Sequence, residues 1–243
     1  MSGNAGKAWT RDELILAIGL YCKTPFGRMH NRNPDIIALA SLLGRTPGSI
    51  ALKLGNFASI DPTLDRKGAS HGSKLDKQIW DEFFRDWEGM LGQSEALLSA
   101  RTTPQPLSEA PEGKEVERVV KVRQNQTVFR QMVLASYGDT CCITGLKVKE
   151  LLVASHIKPW ADDVKNRMNP SNGLCLNALH DKAFDRGLMT FTEQRTVIFS
   201  RKVPRKKENA FLLDFEGAPL RLPDRFMPSE PLLRYHREHV FAA

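Results

Sequence analysis

The residues with the most chemistry in them lie between positions 150 and 187 of this 243-residue chain. The stretch ELLVASHIKPW, residues 150–160, ends an apolar run with a histidine, His156, and a proline then stops the run. Asn172 opens a second apolar run, GLCL, and a short segment, ALHDKAFDR, follows with His180, Asp181 and Asp185. The two aspartates stand four apart, so on a helix both carboxylates project from one face. Two hard oxygen donors one turn apart suit a shared divalent cation. An imidazole across from such a cation can take a proton from water near neutral pH. The cation would offset charge developing on a phosphate and its leaving oxygen. That combination is metal-assisted phosphodiester hydrolysis. His180 keeps the ligand set open: it precedes Asp181 by one position, about 100° around a helix, so a rotated or later-starting helix would present His180 in place of Asp185.

Taken singly, each residue has a plainer reading. A lone histidine is more often a hydrogen-bonded structural group, two aspartates a solvated helix face, and Asn172–Gly173 an ordinary turn. Asp185 has a ready partner in Arg186. The joint order carries the chemical reading. SHIKPW, then NPSNGLCL, then LHDKAFDRGLMTF resembles the HNH endonuclease family, with its ββα-metal fold, in the branch that reads H-I-x-P-W, N-G-L-x-L and F-D-x-G. The resemblance spans about residues 118–200 and includes VRQNQTVFRQMVLASYGDTCCITGL upstream.

This resemblance implies one divalent metal ion (Mg, Mn or similar) as cofactor. It makes His156 the general base on water and Asn172 the brace of the hairpin loop that orients that histidine. Asp181, nine residues after Asn172, stands at the ligand position of the family's helix, with Asp185 one turn further on. Two departures stand out. Ser155 occupies the place where relatives often carry an Asp or His metal ligand, and a serine there is a weak ligand. CCITG stands where many relatives carry paired C-x-x-C knuckles, so no structural zinc is expected.

The elements that must position these groups are readable in the pattern. ELLVASHI and GLCL read as two strands separated by the polar loop KPWADDVKNRMNPSN. Asn177 caps the following helix and Gly187 closes it. LMTF and TVIFS flank TEQR as a hairpin. NQTVFRQMVLASYG reads as a helix, with Asn125 as its cap and Gly138 as its stop. The expected fold class is α+β: a ββα-metal HNH nuclease domain over residues 118–243, joined to an all-helical domain over 1–92. Residues 93–117, QSEALLSARTTPQPLSEAPEGKEVE, are rich in Ser, Pro, Thr and Glu and read as a flexible linker.

In the first block, Thr10 and Glu13 have capping-box spacing ahead of LILAIGLYC. Asn33–Pro34 opens PDIIALASLLG, which Gly44 closes, and Thr46–Pro47 starts PGSIALKLGNF. The tight GRT turn between them makes a helix-turn-helix pattern. A fourth helix, KLDKQIWDEFFRDWEGM, follows RKGASHGSK. The block resembles helix-turn-helix and Myb-like DNA-binding units, in which the third helix enters the major groove. That puts Ser49, Lys53 and Asn56 on the exposed reading face and Arg45 and Lys53 near phosphates. Trp9, Leu14, Leu39, Ile50 and Leu54 would form the core. An all-helical packing or dimerisation domain is the alternative.

Lys and Arg outnumber Asp and Glu by 35 to 28, a formal charge of +7, which favours a polyanionic partner. Arg118, Arg123 and Arg130 on the approach helix, Lys158 and Arg167 in the hairpin loop, and SRKVPRKK at 200–207 are the candidate phosphate contacts. No apolar run approaches the roughly 20 residues a bilayer span needs. The start, MSGNAGKAWTRDE, carries no signal pattern, so a cytoplasmic protein with no membrane partner is expected. Cys22, Cys141, Cys142 and Cys175 include no C-x-x-C and suggest neither a disulfide framework nor a zinc ribbon.

A reader joined by a linker to an HNH cutter resembles bacterial restriction endonucleases, including modification-dependent ones, where tethering supplies a high effective concentration. The expected function is a divalent-metal-dependent endonuclease acting on double-stranded DNA, with or without a modified base. A homodimer is one way to cut both strands. A non-catalytic DNA-binding regulator on a nuclease scaffold and an RNA-directed HNH nuclease are the alternatives.

Overall fold

The computed structural model describes residues 4, 6–64, 72–102 and 114–243, with the backbone alone over 114–122. The chain divides into two compact units, Met1–Val128 and Phe129–Ala243. No helix among the described residues is long and apolar enough to cross a membrane.

The first unit is built from helices α1 (Arg11–Lys23), α2 (Pro34–Leu43), α3 (Pro47–Ile60), α4 (Lys74–Arg85) and α5 (Trp87–Arg101). Local chemistry sets their ends as the sequence suggests. Thr10 and Glu13 cap α1 reciprocally, Asn33 caps α2, and Gly44 ends it in the left-handed region at φ 62°. Thr46 accepts the Ser49 N–H to start α3. Leu14, Leu39, Ile50 and Leu54 are buried as expected, while Trp9 is half-buried.

The expected fourth helix is two. Asp86 leaves helical geometry and its carboxylate accepts the Gly89 N–H at 2.9 Å, so a residue whose surroundings read as mid-helix is the cap of α5. That helix runs on to Arg101, so residues 93–101 are helical rather than linker. Residues 103–113, the middle of the expected linker, and 65–71 lie outside the described residues. Helix α6 (Lys114–Ser136) starts well before the expected cap. Asn125 is mid-helix, and its amide donates to Glu88 Oε1 at 3.1 Å. KEVERVVKVRQ contains no Gly or Pro to break the helix, and its Lys, Glu, Arg and Gln are good helix formers.

Three residues expected to face DNA are instead buried. Arg45, 8% exposed, donates from Nε and Nη2 to the two oxygens of Glu13 at 2.9 and 2.8 Å. Its guanidinium also lies 4.2 Å from the Trp9 ring centre. Burial alone would raise the pKa of Glu13, but the hydrogen bonds from Arg45 and Thr10 and the Arg45 charge together outweigh it, and the carboxyl sits below its ordinary range. Lys53, 7% exposed, reaches both oxygens of the fully buried Asp76 at 2.9 and 3.0 Å. Asn56 is 9% exposed and Ser49 half-buried. Lys53 is the sole cation of α3, so the exposed positions of that helix, such as Gly48 and Leu52, offer DNA no charge. Glu13 and Asp76 stand far from their partners in sequence, which is why patterning alone could not announce these pairs.

Removing one partner of such a pair strands the other charge away from water. Asp76→Ala should cost roughly 3–5 kcal/mol, and it also removes the reciprocal cap that Asp76 makes with Ser73. Thermal unfolding followed by circular dichroism should show a melting point lower by about 10 °C or more. Adding Lys53→Met should recover most of the loss. A single variant that melts like the parent would contradict the buried-pair account.

The second unit is mixed helix and small sheets. Strands β1 (Leu152–His156) and β2 (Gly173–Asn177) pair antiparallel, with His156 opposite Gly173 and Leu152 opposite Asn177. Helix α7 (Ala178–Asp185) follows β2 directly, giving strand, strand and helix in the expected order. A second hairpin, β3 (Met189–Phe191) and β4 (Val197–Phe199), is also as expected. The short α8 (Ala210–Leu213) and the C-terminal α9 (Glu230–His239) complete the unit. Cys141, Cys142 and Cys175 are buried. Burial pushes the Cys142 thiol far up and the Cys175 thiol to about 12, so both stay neutral and pack as small apolar groups. The Cys142 N–H donates to the Cys175 carbonyl at 2.7 Å, tying the turn at 141–146 to β2.

Candidate active site

His156 closes β1, and its ring is held on two sides. It stacks on Phe129 with centroids 3.9 Å apart and planes 11° apart, and it meets Trp160 edge-on at 5.3 Å. The stack depends on a glycine: a Cβ at Gly173, opposite His156, would collide with Phe129 and Val133 of α6. His156 Nε2 lies 3.0 Å from the Arg167 carbonyl. A carbonyl can only accept, so Nε2 carries the proton and Nδ1 keeps its lone pair. Burial lowers the pKa of His156, against smaller upward pulls from the Arg167 carbonyl and Asp185. The ring is therefore neutral at neutral pH, with a base nitrogen available.

Asn172 is fully buried at the foot of the loop between the strands. Its Oδ1 accepts the Lys158 N–H at 2.9 Å, and its Nδ2 donates to the Lys158 and Asn166 carbonyls at 3.2 and 3.3 Å. Its own carbonyl accepts the Ile157 N–H at 2.9 Å. One side chain thus spans the loop that supplies the Arg167 carbonyl to His156.

Asn177 starts α7 by accepting the His180 N–H at 2.9 Å. Asp181 and Asp185 line a cavity of about 560 Å³ together with Ser155, His156 and Trp160. Asp181 is half-buried and Asp185 exposed. Burial raises the pKa of Asp181, with repulsion from Asp185 adding to it and Ser155 and Lys182 pulling the other way. The Ser155 hydroxyl is buried beside Asp181, close enough to pull on its carboxyl but, among the described residues, without a partner in good hydrogen-bond geometry. Among the described residues no three His, Cys, Asp or Glu side chains converge on one point. The donor chemistry nevertheless fits one hard cation: two carboxylates on one helix face repel each other, and a divalent ion would relieve that while water and substrate oxygens filled its remaining positions.

His180 is not part of this group. It is 1% exposed, its Nδ1 lies 3.0 Å from Asn177 Oδ1, and its ring packs against Phe215 at 5.3 Å. Burial takes its pKa down to about 4. The one-position offset from Asp181 turns it about 100° away, and the Asn177 cap fixes that rotation. Of the two candidates for the second helix ligand, Asp185 shares the cavity and His180 does not.

The basic residues also divide. Arg130 donates to the Leu152 and Lys149 carbonyls, so it ties α6 to the lead-in of β1 rather than offering a free charge. Lys158 lies 3.6 Å from Asp163 and 4.5 Å from the centre of the Tyr235 ring. The Arg167 guanidinium sits 5.4 Å from the Trp160 ring. Arg123 is exposed, and the side chain of Arg118 lies outside the described residues. Within 200–207, Arg205 pairs with Glu216, while Arg201, Lys202, Lys206 and Lys207 are exposed.

Lys182, Arg186 and His236 also line the cavity; sequence reasoning names Arg186 only as a partner for Asp185 and the other two not at all. Lys182 and Arg186 do carry a local signal: each follows one of the two aspartates and repeats their four-residue spacing. His236 has none, because it arrives from a helix about 50 residues downstream of α7.

Residues 141–192 match the HNH endonuclease family. The matched span contains His156, Asn172, Asp181 and Asp185. Among solved structures, a modification-dependent TagI restriction endonuclease aligns with 46% of this chain at 21% identity and a TM-score of 0.34. The chain covers 37% of that protein, well short of its length. A search of curated proteins found no match.

Proposed function

We propose, from the match of residues 141–192 to the HNH endonuclease family, that the protein hydrolyses DNA phosphodiester bonds with His156 as general base and a divalent ion, Mg or Mn, as cofactor. The observation that carries this reading is one cavity lined by His156, Asp181 and Asp185. His156 Nδ1 takes the proton from the attacking water, because Nε2 is already committed to the Arg167 carbonyl. Asn172 keeps that carbonyl in place by bracing both ends of the loop, and Phe129 and Trp160 hold the ring plane. Asp181 and Asp185 would hold the ion, which would offset charge on the phosphate and its leaving oxygen. Lys182 and Arg186, beside them, offer cations to the flanking phosphates.

Restriction-type action, with or without a modified base, is the biological role this chemistry would serve, and a homodimer would account for cutting both strands. The test is supercoiled plasmid, methylated and unmethylated, incubated with the protein in Mg²⁺, Mn²⁺ or EDTA. Nicked or linear product in either metal and none in EDTA is the expected result. Binding without cutting in every metal would favour the non-catalytic regulator. Cleavage confined to an RNA substrate would move the assignment to an RNA-directed enzyme.

A further inference from the structure

Consecutive residues of α9 touch the two halves of this site. Tyr235 presents its ring to the Lys158 ammonium at 4.5 Å, on the loop braced by Asn172. His236, 1% exposed, lies flat on Phe184 with centroids 3.6 Å apart and planes 5° apart. His236 Nε2 is 3.1 Å from the Phe184 carbonyl, so that nitrogen donates, and Nδ1 accepts the Thr190 hydroxyl at 2.8 Å. Phe184 stands between Asp181 and Asp185 on α7. Its ring and its carbonyl are thus both gripped by one imidazole that itself lines the cavity.

The chain after α9 adds a second hold just past the end of the same helix. The Ala242 N–H donates to the Gly187 carbonyl at 2.8 Å, and Gly187, at φ 65°, has no room for a Cβ because the Val240 carbonyl occupies that space. Stacking alone would let α7 rotate beneath a flat ring. Hydrogen bonds in two fixed directions, to α7 and to β3, do not. A small rotation would matter, since each residue of a helix turns about 100° from the last.

We propose that His236 is a positioning residue: it fixes the rotation of α7 so that Asp181 and Asp185 face His156 across the cavity. This rests on the reading of those two aspartates as the cation ligands. His236 makes no contact with the reacting atoms. It acts through Phe184, as the outer partners of metal ligands commonly do.

The test uses the full chain with Mn²⁺ itself as the probe, measured by titration calorimetry, alongside plasmid cleavage at graded Mn²⁺. His236→Phe keeps a flat ring and loses both hydrogen bonds. His236→Gln retains a donor that can reach the Phe184 carbonyl. In folded His236→Phe, Mn²⁺ affinity should fall roughly 10-fold or more. The Mn²⁺ needed for half-maximal cleavage should rise in parallel, while plasmid binding in EDTA stays unchanged. His236→Gln should recover most of the affinity. Thr190→Val, which removes only the Nδ1 partner, should show a smaller loss and serves if His236→Phe does not fold. A wild type that binds and cuts, with variants of equal Mn²⁺ affinity, would overturn the positioning role and leave the nuclease reading intact. A wild type that neither binds Mn²⁺ nor cuts would overturn both.

Discussion

His156→Ala should slow metal-dependent plasmid cleavage by roughly 10²–10⁴-fold, the range that general-base removal costs, while DNA binding in EDTA is retained. The ring is half-buried, so the variant opens a gap against Phe129 and some loss of melting temperature will accompany it. His156→Gln controls for that by filling the space without a titrating group. The rate should fall for both, which separates chemistry from packing. The pH profile gives a second readout. A base works when neutral, and burial holds the pKa of His156 below its ordinary 6.5. Wild-type cleavage should therefore persist below pH 6.5 and fall off only as pH drops through that lowered pKa. Cleavage by either variant at the parental rate would remove His156 from the mechanism.

Asp181→Asn should lower metal-dependent cleavage by about 100-fold or more, because it removes one of two anionic donors. Its effect on stability should run the other way. The pKa of Asp181 is raised in the fold, first by burial and then by Asp185. A raised carboxyl pKa means the ionised form is less favourable folded than unfolded, so at neutral pH the charge is a liability to the fold. The uncharged isostere should melt at or slightly above the parental temperature in metal-free buffer. Added Mn²⁺ should stabilise the parent more than the variant. This opposition is what a functional carboxylate held against its own preference predicts. A variant that loses both stability and activity would recast Asp181 as a structural group.

Most of the candidate site is legible in the order of its residues. His156 at a strand end, Asn172 before the next strand and two carboxylates four apart on a short helix all follow from local spacing. The fold puts the first and the last two on one cavity and runs the loop between the strands through Asn172. Helix starts are legible for the same reason. Thr10, Asn33, Thr46 and Asn177 cap residues within three positions of themselves. The boundaries at Asp86 and Lys114 are harder to read, because composition and capping chemistry point in different directions there. The run from Gln93 has the Ser and Glu content of a linker, yet its first nine residues complete a helix that Asp86 caps.

The sequence by itself determined the order strand, strand, helix and the residues that each delivers, because caps, turns and side-chain periodicity act over a few positions. Tertiary structure alone decided which charges are free. Arg45 and Lys53 carry the residue types of a DNA-binding face, but Glu13 and Asp76, 32 and 23 positions away, take them into the interior. It also decided that Asp185 and not His180 shares the cavity, and that the Arg167 carbonyl leaves Nδ1 as the unprotonated nitrogen of His156. It brought His236 onto Phe184 as well. Each of these turns on burial and on a partner remote in the chain, and no local periodicity encodes which remote partner arrives.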